Sequence, residues 1–256
     1  MDPLAHATSA SLRVEGDVVV KRLRSSRARD QEVHGLTTWG ARLNSLDVPE
    51  VLPPTPRDDR RTLRLRLLPG RPLAEFSHWR ERLDVAERLG AGLAELHCLP
   101  CPSDPLPLDQ ALARRMEGWL RRDRGALPAA LRSEVERAFD PSSLAMVART
   151  PTHRDVHAGN VLVHEGRLAL LDWEHSRADC PWFDVVRTWG GAPAEDDAWT
   201  LTLAQAAGLD PVGDRDSLRT VGLLEGVGSV VWGIQHGQPV KTRRGKSLLD
   251  RLLSSR

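Results

Sequence analysis

Cysteine is scarce in this chain of 256 residues: three, at Cys98, Cys101 and Cys180, are too few for a disulfide framework. Cys98-Leu-Pro-Cys101 has the CxxC spacing, and His97 and Cys180 offer further donors. Structural zinc sites bring a second close ligand pair, so the stretch reads instead as a helix end running into Pro100 and Pro102. Excess charge of either sign is also lacking. Lys plus Arg number 36 against 35 Asp plus Glu, which leaves no whole-molecule field to draw nucleic acid or an anionic membrane. No apolar run approaches the roughly 18 residues of a membrane-spanning helix. The opening MDPLAHATSAS has neither the basic start nor the apolar stretch of a signal peptide, so a cytoplasmic location is expected. Internal repeats and low-complexity tracts are absent as well.

What remains is an ordinary globular balance, 40% apolar and 28% charged, in a chain long enough for one large domain or two modest ones. Leu12 to Val14 and Val18 to Leu23, separated by Glu15-Gly-Asp17, read as a hairpin with Lys21 inside its second strand. The pattern from Ala28 to about Leu46 favours a helix, ended by the prolines that follow from Pro49. Thr62 to Leu68 alternates Leu and Arg as a strand with Leu63, Leu65 and Leu67 facing a core. After Pro69-Gly70 the character changes. Trp79, Leu83, Ala86, Leu89, Leu93 and Leu96 recur at helical spacing, and further helices are expected near 108–122 and 128–139. The domain boundary is accordingly placed there, with residues 1–68 and 69–256 as two units.

The helical part carries one β insertion. Val161-Leu-Val163, the turn His164-Glu-Gly-Arg167 and Leu168 to Leu171 form a hairpin that enters from THRDVHAGN and leaves into Asp172-Trp-Glu174. Both polar ends therefore share one sheet edge. Asp155, Asn160 and Asp172 converge there, and oxygen donors of this kind suit magnesium, which takes one or two carboxylates together with phosphate oxygens and water. Asn160 and Asp172 fit as ligands, leaving Asp155 to accept a proton from a hydroxyl. Two other readings stand beside this one. Single polar residues next to a buried strand often just satisfy loop backbone groups, and the alternating His153, Asp155 and His157 match a metal-hydrolase face.

The set His153-x-Asp155-x-x-x-x-Asn160, followed after a hairpin by Asp172-Trp-Glu174, resembles the core of the aminoglycoside phosphotransferase and choline kinase family, small-molecule relatives of protein kinases. The resemblance runs from about Leu12 to Trp189. It implies an α+β, two-lobed protein-kinase-like fold, with a small β-rich N-lobe, a larger helical C-lobe and the hairpin at the site. It also implies that Asp155 is the base and that Asn160 and Asp172 hold Mg2+ against the phosphates of ATP or GTP. His153 becomes a structural loop histidine and Asp184 an aspartate that braces the loop. Lys21, a lysine in a central strand that needs a partner, pairs with Glu32 on the next helix and faces the α- and β-phosphates. The strand end from Arg66 to Leu68 offers backbone groups to a purine ring. Glu174 is retained without an assigned role.

The sequence departs from that pattern in two places. No GxGxxG precedes Lys21, and Thr8-Ser9-Ala10-Ser11 is the stretch that offers hydroxyl and backbone donors to a phosphate, through Ser9 in particular. No Ala-Pro-Glu follows Asp172, which disfavours a protein substrate. The expected partners are a nucleoside triphosphate and a small hydroxyl acceptor, such as an antibiotic, sugar, amino alcohol or natural-product intermediate, with no nucleic acid and no membrane. The rival from another class is a catalytically silent nucleotide-binding module. The acids Glu195 to Asp197, Asp210, Asp214 and Asp216 read as solvated helix starts before a cation trap. Trp189, Trp199 and Trp232 read as core before an acceptor wall, and Lys241 to Leu253 reads as a basic, leucine-striped closing helix.

Overall fold

The structure, a computed structural model, describes residues 11–189 and 198–254. Ser9 and the acids Glu195 to Asp197 lie outside the described residues. The chain opens with the hairpin of β1 (Ser11–Glu15) and β2 (Val18–Arg22), followed by α1 (Ser26–His34) and the strands β3 (Val51–Leu52) and β4 (Thr62–Arg66). These strands form one antiparallel sheet in the order β1-β2-β4-β3. Lys21 stands between Leu12 of β1 and Leu63 of β4, so its ammonium leaves an interior strand rather than an edge.

Ser25 caps α1 by accepting the Ala28 amide at 3.1 Å. The helix is shorter than its pattern predicts. α-Helical bonding stops at His34, and the chain continues as a π-turn over Gly35–Trp39 and a 3-10 turn over Gly40–Arg42. Two glycines weaken the α-helix there, and Leu36 and Trp39 still bury their side chains, so the apolar period survives while the hydrogen-bond ladder changes.

Gly70 turns the chain with φ 120°, a conformation side chains resist, and a Cβ at this position would lie 2.9 Å from the Val163 carbonyl oxygen. Beyond it, β5 (Arg71–Pro72) joins a second sheet, pairing with β7 (Val161–His164), which pairs in turn with β8 (Arg167–Leu170). Between them run α2 (Leu83–His97), α3 (Leu108–Arg122), α4 (Ala129–Ala138) and β6 (Thr150–Thr152). The predicted helical run from Trp79 starts as a separate 3-10 turn, Trp79–Glu81, before α2. The chain ends with β9 (Arg177–Asp179), which pairs with β6, and with α5 (Trp182–Val186), α6 (Ala198–Ala206), α7 (Arg215–Gln235) and α8 (Pro239–Ser254). A small sheet-rich part is thus followed by a larger helical part, the two-part arrangement expected from the sequence.

Apolar packing is organised in two cores. One joins Leu63 and Leu65 of β4 to Leu89 and Leu93 of α2 and to Val161 and Leu170 of the hairpin. The other gathers α3, α4, α5, α7 and α8 around Leu112, Phe183, Val227 and Leu249. The hairpin at the site therefore rests on the same core as the first sheet. Asp47 reinforces that connection, since its amide donates to Leu168 O at 2.9 Å and its carbonyl accepts from Leu170 N at 2.9 Å.

Candidate active site

The polar stretch between β6 and β7 is held from below. His153 is fully buried, with its ring edge against Trp173 at 4.9 Å between centroids. Burial holds its pKa below the ordinary histidine value, and its Nδ1 accepts the Asp155 amide at 3.2 Å. Asp184, at the start of α5, is inaccessible to solvent. Its two carboxylate oxygens accept the amides of His153 at 3.1 Å and Arg154 at 2.6 Å, and Oδ2 lies 3.0 Å from His97 Nε2. This ties His97 to the loop, away from the cysteines beside it. Arg154 needs such support because its φ of 67° is unfavourable for a long side chain. Its guanidinium pairs with buried Asp179 and lies 3.7 Å from the Phe183 ring centroid.

Asp155 and Asn160 meet across the loop. Asn160 Nδ2 donates to the Asp155 carbonyl at 3.0 Å and to its Oδ2 at 3.3 Å. The Leu171 amide donates to the Asn160 carbonyl at 2.8 Å, which places Asn160 and Asp172 on the two arms of the open hairpin end. Asp172 adopts left-handed geometry, φ 66° and ψ 66°, turning the chain out of β8 into the Trp173–His175 turn. Trp173 explains the middle residue of Asp-Trp-Glu. It is fully buried, its Nε1 donates to Leu170 O at 2.9 Å, and it anchors both His153 and the exit turn.

Lys21 Nζ reaches this centre from the first sheet. It lies 2.7 Å from Glu32 Oε2 and 2.6 Å from Asp172 Oδ1. Burial disfavours its charge, yet the two carboxylates outweigh that and raise its pKa above the ordinary lysine value. Glu32 is itself buried, and burial together with the nearby Asp172 and Glu174 pushes its carboxyl up to about 7 against the pull of Lys21. Asp30 faces away and pairs with Arg29. Glu174 acquires a place: Glu32, Asp172 and Glu174 bring carboxylate oxygens within 4.8 Å of one another.

The donor set fits a hard cation. Its members are carboxylate and amide oxygens. Asn160 spends its NH2 group on Asp155, which leaves its side-chain carbonyl without a hydrogen bond among the described residues, and Asp172 engages Lys21 through one oxygen only.

At the expected purine-facing strand end, Arg66 closes β4. Its amide is already bonded to Glu50 O at 2.9 Å, because β4 keeps its sheet pairing to that point, and its exposed guanidinium pairs with Asp17 and Glu50. Leu67 likewise donates to Asp17 O at 2.8 Å. The Leu68 amide has no acceptor among the described residues and keeps a donor available.

Two site residues escaped the sequence reading. Arg187, just after α5, ion-pairs with Asp155 Oδ1 through Nη1 and donates from Nε to Glu225 Oε1 of α7 at 2.9 Å. All three side chains are at most 16% exposed. Burial would raise the pKa of Asp155, but Arg187 and the nearby histidines hold it below the carboxylate range. The histidines are themselves held below their ordinary value by burial. No sequence motif marks Arg187 or Glu225. The usable signal was their one-sided placement, a lone arginine after the buried run Trp182 to Val186 and a lone glutamate amid the apolar middle of α7.

Three comparisons with known proteins bear on the family and the fold. Over 64 residues the chain is 38% identical to a thiamine kinase of Escherichia coli (strain SMS-3-5 / SECEC), a stretch that makes up 25% of this chain and 19% of that protein. The chain thus matches about a fifth of the length of its curated relatives. The GDP complex of wild-type aminoglycoside 2'-phosphotransferase-IIIa has a similar structure, with TM-score 0.75 and 16% identity over 98% of this chain and 91% of that one. The macrolide 2'-phosphotransferase apoenzyme of Brachybacterium faecium gives 0.62 and 18%, over 96% and 90%. Residues 4–221 match the sequence model of the phosphotransferase enzyme family, a span that includes Lys21, Asp155, Asn160, Asp172 and Arg187. With most of its length covered in this way, the chain belongs to the phosphotransferase enzyme family.

Proposed function

We propose that the protein is a magnesium-dependent phosphotransferase that moves the γ-phosphate of a nucleoside triphosphate onto the hydroxyl of a small molecule. The observation that carries this reading is the arrangement around Lys21. A buried ammonium bridges Glu32 and Asp172, while Asn160, across the same hairpin end, holds Asp155 in place. Solved neighbours in complex with GDP and with ADP support a nucleotide donor. Family membership and the kinase names of the curated relatives support transfer to a small molecule.

In this reading Asp155 orients the acceptor hydroxyl and takes its proton as the hydroxyl oxygen bonds to phosphorus and the bond to the leaving nucleoside diphosphate breaks. Lys21, oriented by Glu32, contributes fixed positive charge to the phosphates. Asn160 and Asp172 would hold magnesium, which supplies charge neutralisation on the transferring phosphoryl group. His153, Asp184 and Trp173 are positioning residues. The Leu68 amide is the donor offered to the purine. The reaction needs little beyond placement and electrostatics, and the site provides both.

Incubation with ATP or GTP, magnesium and pooled hydroxyl metabolites and antibiotics tests the proposal, with mass spectrometry following a phosphate gain. Gain on one acceptor that disappears in Asp155→Ala is the expected result. Nucleotide binding with no transfer to any pool would leave a silent nucleotide-binding module in its place.

A further inference from the structure

α8 carries four basic residues in its first eight positions, and two of them, Lys241 and Arg244, stand three positions apart and so share a helix face. α8 packs unusually closely on α7, beside Glu225, which Arg187 ties to Asp155. A Cβ at Gly245 would lie only 2.8 Å from the Gly226 carbonyl oxygen, so the glycine fixes the approach. Leu248, Leu249, Leu252 and Leu253 complete the seam. Lys241 Nζ sits 4.2 Å from the Trp232 ring centroid, and Arg24, from the other lobe, lies over the same ring at 5.8 Å.

Lys241 and Arg244 are half-buried, and neither forms an ion pair among the described residues. Burial first, and then repulsion from Arg187, hold both below the ordinary values for their residue types, while Asp155 and Glu225 act on them from the other side. Arg244 also acts on His157, two residues from Asp155. Arg244 adjoins Gly245, which packs on Gly226 next to Glu225, so α8 brings the two cations to the helix that carries the Glu225–Arg187–Asp155 chain. Glu225 does not discharge them, because its contact is with Arg187. Half-buried charge without a counter-ion is unfavourable, and an anionic ligand would remove that cost.

Among the described residues, the acids that the sequence offered as a cation trap, Asp210, Asp214 and Asp216, stand at or just before the start of α7. Asp210 and Asp214 shape the start of α7, where Asp210 accepts the Val212 amide at 3.0 Å and its carbonyl accepts from Asp214. Asp216, also exposed, precedes Trp232 by about 24 Å of helix. Trp232 itself is half-buried and flanked by cations, whereas Trp189 and Trp199 are core.

We propose that the phosphate acceptor is an anionic hydroxyl compound, bearing a carboxylate or phosphate group that Lys241 and Arg244 bind beside Asp155. This rests on the phosphotransferase reading above and sharpens its substrate class. The hydroxyl of that compound attacks the γ-phosphorus, its proton passes to Asp155, and the nucleoside diphosphate departs, while the anionic group takes no part in bond making. Lys241 and Arg244 stand outside residues 4–221, the span that matches the family.

The test presents the full chain, with ATP and magnesium, with hydroxy acids, sugar phosphates, neutral sugars, and amino alcohols with aminoglycosides as four separate pools. Phosphate mass gain and direct binding by ligand-observed NMR are both read. Gain and binding confined to one of the two anionic pools are expected, and the pool that responds distinguishes carboxylate from phosphate. Lys241→Ala and Arg244→Ala should each raise the acceptor KM about tenfold or more, with Lys241→Arg restoring it. A neutral or cationic acceptor phosphorylated at equal or lower KM overturns the inference. So does an anionic acceptor indifferent to both substitutions, or no anionic compound binding at all. Anionic compounds that bind through Lys241 and Arg244 without gaining phosphate would support the anion site while removing the phosphotransferase reading.

Discussion

Arg187 links Asp155 to Glu225, pairing with the first through Nη1 and with the second through Nε at 2.9 Å. All three groups are largely removed from solvent, so the arginine neutralises two carboxylates that would be costly to bury unpaired. Arg187→Ala should lower unfolding free energy by about 3–5 kcal/mol, because it removes the ion-pair partner of two largely buried carboxylates, Asp155 and Glu225. Arg187→Met with Glu225→Gln should recover much of that loss. Urea unfolding of the single and double variants checks both statements, and an Arg187→Ala midpoint equal to wild type would contradict the first.

Lys21 is placed by two carboxylates at once, 2.7 Å from Glu32 and 2.6 Å from Asp172. Removing it in Lys21→Met should reduce turnover about 10²–10³-fold, the loss seen when a preorganised donor to a charged transition state is removed. Lys21→Arg should not restore activity, since a planar guanidinium does not replace a compact ammonium between two nearby oxygens. Glu32→Gln should fall between wild type and Lys21→Met. Steady-state kinetics on an acceptor from the pooled screen gives the order, and an active Lys21→Arg enzyme would remove the argument from geometry.

The elements were legible wherever local chemistry was strong. The two hairpins, β4 and the helices α2 to α4 and α8 follow from apolar period and turn residues, and the spacing of Asp155, Asn160 and Asp172 already brought them to one hairpin end. Glu32 was readable as the partner of Lys21 because a buried lysine needs one. The end of α1 was not, since the apolar period of Leu36 and Trp39 is the same in a π-turn. Arg187, Glu225, Lys241 and Arg244 were invisible for a different reason. Their importance arises from tertiary placement of α5, α7 and α8, and a charged residue has no local mark that tells an exposed position from one aimed at a site. Trp232 illustrates the converse, a residue read as core that sits half-buried under Arg24 and Lys241.

Asp184 acts through the loop backbone, accepting the amides of His153 and Arg154. Asp184→Asn retains the volume but replaces one accepting oxygen with a donor, which faces an N–H in turn. Hydrogen exchange at His153 and Arg154 should accelerate and kcat should fall, while the midpoint of nucleotide binding moves little. Mass-resolved exchange of peptides covering 150–160 reads the first effect directly. Unchanged protection in that segment would show that the loop is held by other contacts.

Asp179 supplies a pH signature separate from the transfer site. Burial alone would raise its pKa, but Arg154, Arg115 and Arg177 draw it well below the ordinary value of 3.8, with Arg115 and Arg177 each at 3.0 Å. A carboxylate with a depressed folded value stabilises the protein above its unfolded value and loses that contribution as pH falls through the folded one. Melting temperature should therefore drop as pH is lowered beneath 3.8. In Asp179→Asn that acid-limb dependence should weaken, while stability at neutral pH should fall by about 3–5 kcal/mol, because Arg154 stays buried with no carboxylate facing it. Thermal melts of both proteins across the acid range separate the two effects. Parallel pH profiles would mean that other carboxylates carry the acid sensitivity and that the arginine cluster around Asp179 contributes little to it.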